Sequence, residues 1–134
     1  MSDVSAGSGW SIPRKFVLLV VEDDAMADLL VDALLEAGHV AQLATTLEVV
    51  RGEIDCSLFD AAIVDLDSWD RHGTIAIARL REDAPSATIL ALLPCGGRAS
   101  EFAGVRYHVA LEKPARLTAV LAALQSCTTH PGRS

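Results

Sequence analysis

The sequence predicts an α/β fold in which a doubly wound, five-stranded parallel sheet carries five helices on its two faces. Short apolar runs, such as residues 16–21 and 88–93, have the length of strands that are buried on both sides. The segments between them place apolar residues at i, i+3, i+4 and i+7, which is typical of amphipathic helices. Strands that alternate with helices form parallel sheets with right-handed crossovers.

Length and composition indicate one domain with an aliphatic core. The chain has 134 residues, of which 51% are hydrophobic and only 4% aromatic. We expect a flexible N-terminal arm over residues 1–13, the domain over 14–126 and a tail over 127–134. No apolar run reaches the roughly 18 residues of a membrane span. Residues 1–13 are polar and have no apolar h-region, so we do not expect a secretory signal. Three cysteines without metal-ligand spacing fit reduced thiols and a cytoplasmic location.

The first strand and helix are predicted within residues 16–37. Six apolar residues form the strand, which stops at Glu22 and Asp23. The helical pattern starts at Asp24, and Gly38 ends the helix in the C′ position. The predicted buried face consists of Met26, Leu29, Leu30, Ala33 and Ala37, and the predicted solvated face of Asp24, Asp28, Asp32 and Glu36.

A second strand at 39–44 and a central strand at 60–65 come next. Thr45 or Thr46 is expected to cap the helix between them, whose predicted buried residues are Leu47, Val50 and Ile54. The central strand places four consecutive apolar residues between Asp60 and Asp65, which predicts burial on both faces.

The remaining elements, from the third helix to the final helix, continue the alternation of helices and strands. A third helix is expected to follow Gly73 and to run to about Asp83, and the fourth strand is 88–93. A short, weakly predicted helix at 98–103 leads to a fifth strand at 107–111, and the final helix starts at Pro114. The predicted inward residues of the third and final helices are Ile77, Leu80, Leu117, Val120, Leu121 and Leu124.

Charged side chains follow three of these strands at their carboxyl ends. Glu22 and Asp23 end strand one, Asp65 ends strand three and Lys113 ends strand five. With strands one, three and five as neighbours, we expect these side chains to meet at the edge where open α/β sheets bind ligands. Crowded carboxylates need a cation, and oxygen ligands suit Mg²⁺. The arrangement predicts a site where the Asp65 carboxylate accepts a phosphoryl group.

Each feature has a plainer explanation when it is taken alone. An acidic pair after a strand commonly caps a helix, and Lys-Pro is a common turn. The hypothesis therefore depends on all the features falling at strand ends on one side of the sheet.

Between about residues 16 and 125 the chain resembles the CheY-like receiver domains of two-component response regulators, which have a flavodoxin-like fold. The similar segments are the acidic motif at 20–24, the strand at 59–65 with Gly73 after it, and Glu-Lys-Pro at 112–114. The resemblance implies that Asp65 is the phosphoacceptor and that Lys113 contacts the phosphoryl group. It also implies that Glu22, Asp23, Asp65 and the backbone of Asp67 hold Mg²⁺.

The chain departs from that family at the positions that relay the signal. Leu93 stands where receivers carry Ser or Thr, and Ala110 stands where they carry an aromatic residue. His108 shares the strand face of Ala110 and is a candidate partial substitute. Two loop residues are candidate accessories. Asp67 could strengthen metal binding, orient a water that hydrolyses the acyl phosphate, or simply face solvent. Trp69 could cover the site or contact a partner protein.

The leading expectation is a stand-alone response-regulator receiver that is phosphorylated by a histidine kinase or a histidine phosphotransfer protein. It would signal to a downstream protein target, with a homodimer as a further candidate assembly, and would catalyse only its own phosphotransfer and dephosphorylation. The net charge of −7 argues against direct nucleic-acid binding. The alternative is a pseudo-receiver, a phosphorylation-independent interaction module. A Mg²⁺-dependent phosphatase with Asp65 as nucleophile and Asp67 two residues later is a third, weaker alternative.

Overall fold

The computed structural model describes residues 14–66, 71–94, 108–113 and 116–127. Within these ranges five parallel strands form one sheet in the order β2-β1-β3-β4-β5, which confirms the predicted fold class. Strands one and three are neighbours as predicted, but strand four lies between strands three and five. The strands are β1 (Phe16–Val20), β2 (Val40–Ala44), β3 (Ala61–Asp65), β4 (Thr88–Leu93) and β5 (Val109–Glu112).

The described ranges contain four α-helices and one short 3₁₀-helix, Cys56–Leu58. The α-helices are α1 (Asp24–Glu36), α2 (Thr46–Val50), α3 (Arg71–Asp83) and α4 (Leu117–Cys127). The predicted helix at 98–103, the predicted arm at 1–13 and most of the predicted tail lie outside the described residues, as do Asp67, Trp69 and Pro114. No helix in the described ranges is long and apolar enough to cross a membrane.

The sheet has an apolar layer on each face because side chains alternate along every strand. Helices α2 and α3 pack on one layer through Val49, Ile77 and Leu80. Helices α1 and α4 pack on the other through residues such as Leu30 and Leu124. Each fully buried Leu or Ile side chain contributes about 1.5–3 kcal/mol to folding. The inward residues predicted for α3 and α4 are confirmed as parts of these two layers.

Helix α1 has defined caps at both ends. The Asp23 side chain accepts hydrogen bonds from the backbone N–H groups of Ala25 and Met26. At the other end Gly38 has φ 92°, and its N–H and that of His39 donate to Leu35 and Leu34. This is a Schellman motif, which needs a left-handed residue at C′ and therefore favours glycine.

The predicted buried face of α1 is partly wrong. Its buried residues are Ala27, Leu30 and Leu34, while Leu29 is 57% exposed. Because leucine occurs at 29–30 and again at 34–35, two overlapping apolar stripes exist, and contact with the sheet and α4 decides between them. The predicted solvated acids are all exposed.

The predicted buried side of α2 is also partly wrong. Thr46 and Val49 are its buried residues, whereas Leu47 is 43% exposed. Val50 and Ile54 are partly buried. With only five residues, α2 is too short for a helical period to be read from the sequence.

Candidate functional site

Asp65 and Lys113 meet at the carboxyl edge of the sheet. The Lys113 Nζ atom lies 2.5 Å from Asp65 Oδ1, although β4 separates the strands that carry them. Asp65 is in register with Leu92 of β4, and Leu92 with Leu111 of β5. Lys113 lies two residues beyond Leu111 and therefore on the same face of the sheet. Its side chain extends past the end of β4 to reach the carboxylate.

The backbone on both sides of this ion pair is fixed by β4. Leu66 N–H donates to the Leu92 carbonyl at 2.8 Å, and Lys113 N–H donates to the Leu93 carbonyl at 2.8 Å. The two side chains are only 16% and 21% exposed, for Asp65 and Lys113 respectively. A short charge-assisted hydrogen bond between groups shielded from water is stronger than an exposed ion pair.

The stem of Lys113 lines an apolar cavity between α1 and α4. The cavity has a volume of ≈ 260 Å³, and its other lining residues are Met26, Leu29, Leu30, Leu92, Leu117 and Val120. A lysine commonly packs its methylene groups on apolar surface while its ammonium reaches a polar partner. The cavity therefore helps to explain how Lys113 reaches across the sheet toward Asp65.

Glu22 and Asp23 follow β1 but are engaged elsewhere. Asp23 caps α1. The Glu22 Oε2 atom accepts a hydrogen bond of 2.9 Å from the Thr46 hydroxyl, and the Thr46 backbone nitrogen is 3.5 Å away. Within the described ranges, no three His, Cys, Asp or Glu side chains lie close enough together to hold a metal ion. The structure thus brings Asp65 and Lys113 together but does not gather the predicted carboxylates into one cluster.

Many solved structures of similar fold are response regulators or CheY-like receiver domains. A Burkholderia pseudomallei response regulator with a phosphorylated aspartic acid, a calcium ion and citrate is 26% identical over 87% of this chain and 69% of its own, with a TM-score of 0.69. Vibrio cholerae chemotaxis protein CheY4 is 21% identical over 85% of this chain and 98% of its own, with a TM-score of 0.72. The chain has the fold of CheY-like receiver domains.

A third similar structure is a receiver domain from a sensor histidine kinase of Pseudomonas aeruginosa, with a magnesium ion coordinated in its active-site cleft. It is 20% identical over 85% of this chain and 97% of its own, with a TM-score of 0.67. Neither a family model nor a curated protein sequence matches the chain.

The two atypical positions of the receiver fold are apolar and belong to the core. Leu93, the last residue of β4, is 5% exposed and packs in the layer covered by α2 and α3. Ala110 of β5 packs against the same layer. Asp65 and Lys113 lie on the other side of the sheet by strand alternation. Neither Leu93 nor Ala110 supplies a hydroxyl or an aromatic ring that could move with the state of Asp65.

His108 lies at the opposite edge of the sheet from Asp65. Its Nδ1 accepts a hydrogen bond of 2.9 Å from Ile89 N–H, and its Nε2 is 3.0 Å from Arg81 Nη1. Both contacts are near the amino ends of β4 and β5. Burial, and secondarily the Arg81 charge, lower the pKa of His108. This placement puts His108 at the edge of the sheet away from Asp65, where it accepts a backbone hydrogen bond.

The predicted ligands that the structure describes fit Mg²⁺ by donor type and lie at one edge of the sheet, although they do not form a cluster. Val20 and Val64 are in register, so Glu22 and Asp65 leave neighbouring strands at the same edge. Glu22, Asp23 and Asp65 supply only carboxylate oxygens, the ligands that Mg²⁺ prefers. Glu22 and Asp23 are exposed, so each can turn toward Asp65 at the cost of the hydrogen bonds described above.

The sequence reading missed the partner of Glu22. The sequence predicts Thr45 or Thr46 as the cap of α2, and Thr45 is the cap and forms a capping box with Glu48. The hydroxyl of Thr46 instead binds Glu22, which is 24 residues away along the chain. No local pattern marks a contact between the ends of two adjacent parallel strands.

Proposed function

We propose that this chain is a receiver whose Asp65 accepts a phosphoryl group from a phosphohistidine of a kinase or phosphotransfer protein, in a Mg²⁺-dependent reaction. The observation that carries the proposal is the contact between Lys113 Nζ and Asp65 Oδ1 in a receiver fold. Two residues 48 apart in sequence place a nucleophilic oxygen and an ammonium together at the ligand-binding edge of a parallel sheet.

The chemistry follows from these two side chains. An oxygen of the Asp65 carboxylate attacks phosphorus, and the bond between phosphorus and the donor nitrogen breaks. Lys113 then exchanges part of its contact with the carboxylate for a contact with a phosphoryl oxygen. Its ammonium offsets the negative charge that gathers on those oxygens.

Glu22, Asp23, Asp65 and the backbone of Asp67 would hold Mg²⁺ at this edge. The bound ion supplies positive charge that offsets the repulsion between carboxylates and the phosphoryl group. The adjacent carboxyl ends of β1 and β3 support this assignment. We further propose that the phosphorylated form signals through contacts with a protein target.

Intact-mass measurement tests the proposal directly. The chain is incubated with Mg²⁺ and acetyl phosphate, in parallel with Asp65→Asn and with Asp32→Asn, an exposed carboxylate on α1, as a matched control. We expect one phosphoryl group on the parent and on Asp32→Asn, and none on Asp65→Asn. Incubation with EDTA should abolish the gain. Equal gain by Asp65→Asn would place the modification elsewhere and end the proposal.

A pseudo-receiver is the second candidate function. The observation in its favour is that the described residues hold no preformed group of three metal-binding side chains, while Leu93 and Ala110 are apolar. This module would bind its protein partner without phosphorylation. No mass gain from acetyl phosphate and no heat of Mg²⁺ binding in the parent would favour it over the receiver.

A further inference from the structure

The hydrogen bond between Thr46 and Glu22 lies on the side of the site away from Asp65. In the sheet order, β1 is between β2 and β3. Glu22 follows β1, Thr46 follows β2 and Asp65 ends β3. Adjacent strands are about 4.8 Å apart, so a carboxylate bonded to Thr46 is drawn toward β2 and away from Asp65. This direction explains why the carboxylates are not clustered.

Thr46 is held firmly enough to act as a fixed donor. Thr46 is buried, with 3% of the residue exposed, and it is the first residue of α2. Thr45 and Glu48 form reciprocal hydrogen bonds of 2.9 and 3.1 Å around it. The Thr46 hydroxyl therefore has a defined position, whereas Glu22 is exposed and lines an open surface cleft of ≈ 520 Å³. Of the two partners, Glu22 is the one that can turn.

We propose that Thr46 is a positioning residue that holds Glu22 on the β2 side and must release it before Glu22 binds Mg²⁺ beside Asp65. This inference rests on the proposed Mg²⁺-dependent receiver function. It implies that metal binding breaks the contact between Thr46 Oγ1 and Glu22 Oε2. The hydrogen bond and the metal then compete for one carboxylate, so the hydrogen bond lowers the affinity for Mg²⁺.

Calorimetric titration with Mg²⁺ measures this competition. Thr46→Val keeps the shape of the side chain and removes the hydroxyl, and Thr46→Ser keeps the hydroxyl. A hydrogen bond that contributes about 1 kcal/mol corresponds to about a fivefold change in Kd. We expect Thr46→Val to bind Mg²⁺ about fivefold more tightly than the parent, and Thr46→Ser to bind like the parent. Asp65→Asn serves as the control for binding at this site.

A second measurement uses the unaltered protein and does not depend on the folding of a variant. The methyl resonance of Thr46 is followed by NMR during the same titration. We expect it to shift with the Kd that calorimetry gives, because the hydroxyl loses its acceptor. An unmoved resonance at Mg²⁺ saturation would overturn the inference.

The outcomes separate this inference from the function on which it rests. Equal or weaker Mg²⁺ binding by Thr46→Val, with a parent that binds Mg²⁺ and gains a phosphoryl group, would overturn the role of Thr46 alone. No Mg²⁺ binding by the parent or by either Thr46 variant would overturn both. Mg²⁺ binding by Thr46→Val, when the parent binds none, would support competition between the Thr46 hydrogen bond and Mg²⁺ for Glu22.

Discussion

The two edges of the sheet use polar side chains in different ways. At the amino edge, Asp60, His39 and His108 accept hydrogen bonds from the backbone N–H groups of Phe16, Lys15 and Ile89. At the carboxyl edge, Asp65 and Lys113 contact each other. A side chain that accepts a hydrogen bond from a backbone N–H stabilises the amino end of a strand. A carboxylate paired with an ammonium can instead exchange that contact for one with a ligand. Under the proposed function, this difference separates structural from chemical roles among residues of the same types.

The largest expected effect comes from replacing Asp65, which ends β3, and comparing it with replacement of Asp60, which immediately precedes β3. Asp65→Asn should abolish phosphoryl uptake and lower the free energy of unfolding by about 1–3 kcal/mol, because the largely shielded Lys113 ammonium loses its anionic partner. Asp60→Ala should cost about 1–2 kcal/mol, because the Phe16 N–H loses its acceptor, and should keep phosphoryl uptake. Urea unfolding and intact mass measure both. Loss of phosphoryl uptake in a folded Asp60→Ala variant would show that the two edges do not differ in role as we propose.

Lys113→Ala should slow phosphoryl uptake by about 100-fold, since removal of one preorganised donor from a charged transition state typically has an effect of this size. Lys113→Arg should retain more activity because it keeps the charge. The rate of mass gain with acetyl phosphate provides the measurement. An unchanged rate in Lys113→Ala would show that the contact with Asp65 is only structural.

Leu93 tests whether every residue at the carboxyl edge has a chemical role, because it lies at that edge but belongs to the core. We expect Leu93→Thr to lower the free energy of unfolding by about 2–3 kcal/mol, since it removes buried apolar volume and buries a hydroxyl. Combined with Ala110→Tyr, it should change the affinity of the phosphorylated chain for a protein partner little. A large gain in phosphorylation-dependent binding would instead identify a dormant switch.

The smallest effect is a pH dependence that arises at the amino edge. Burial, and secondarily Lys15, lower the pKa of His39 from its usual value of 6.5. The unfolded chain therefore binds the proton more readily, and stability should fall as the pH drops from above 6.5 toward the lowered folded-state pKa. Urea unfolding on both sides of pH 6.5 should show this slope, and His39→Asn should reduce it. An equal slope in His39→Asn would assign the effect to His108 or to other groups.

The sequence predicted the features that are repeated or local. The strand runs, the Gly38 cap and the end of α3 at Asp83 follow from apolar period and backbone preference. The predicted start of α3 after Gly73 was wrong, because the helix begins at Arg71 and includes Gly73. The meeting of Asp65 with Lys113 was predictable because parallel strands end at a common edge. The exposure of Leu29 was not, since two apolar stripes overlap on α1 and tertiary packing chooses one. The partners of Glu22, Asp60 and both structural histidines lie 19 to 44 residues away and leave no local signal.

The ion pair between Asp65 and Lys113 also determines which parts of the sheet must be formed before Asp65 has its cationic partner. Its ammonium lies 48 residues beyond its carboxylate and follows the outermost strand of the sheet. No local segment can form this pair, because the pairing of β3 with β4 and the pairing of β4 with β5 must both be in place. A chain that is incomplete, clipped before β5 or frayed at that edge still has Asp65 but lacks its cation. The phosphoryl uptake that we propose for Asp65 would therefore depend on the pairing of β5 with β4.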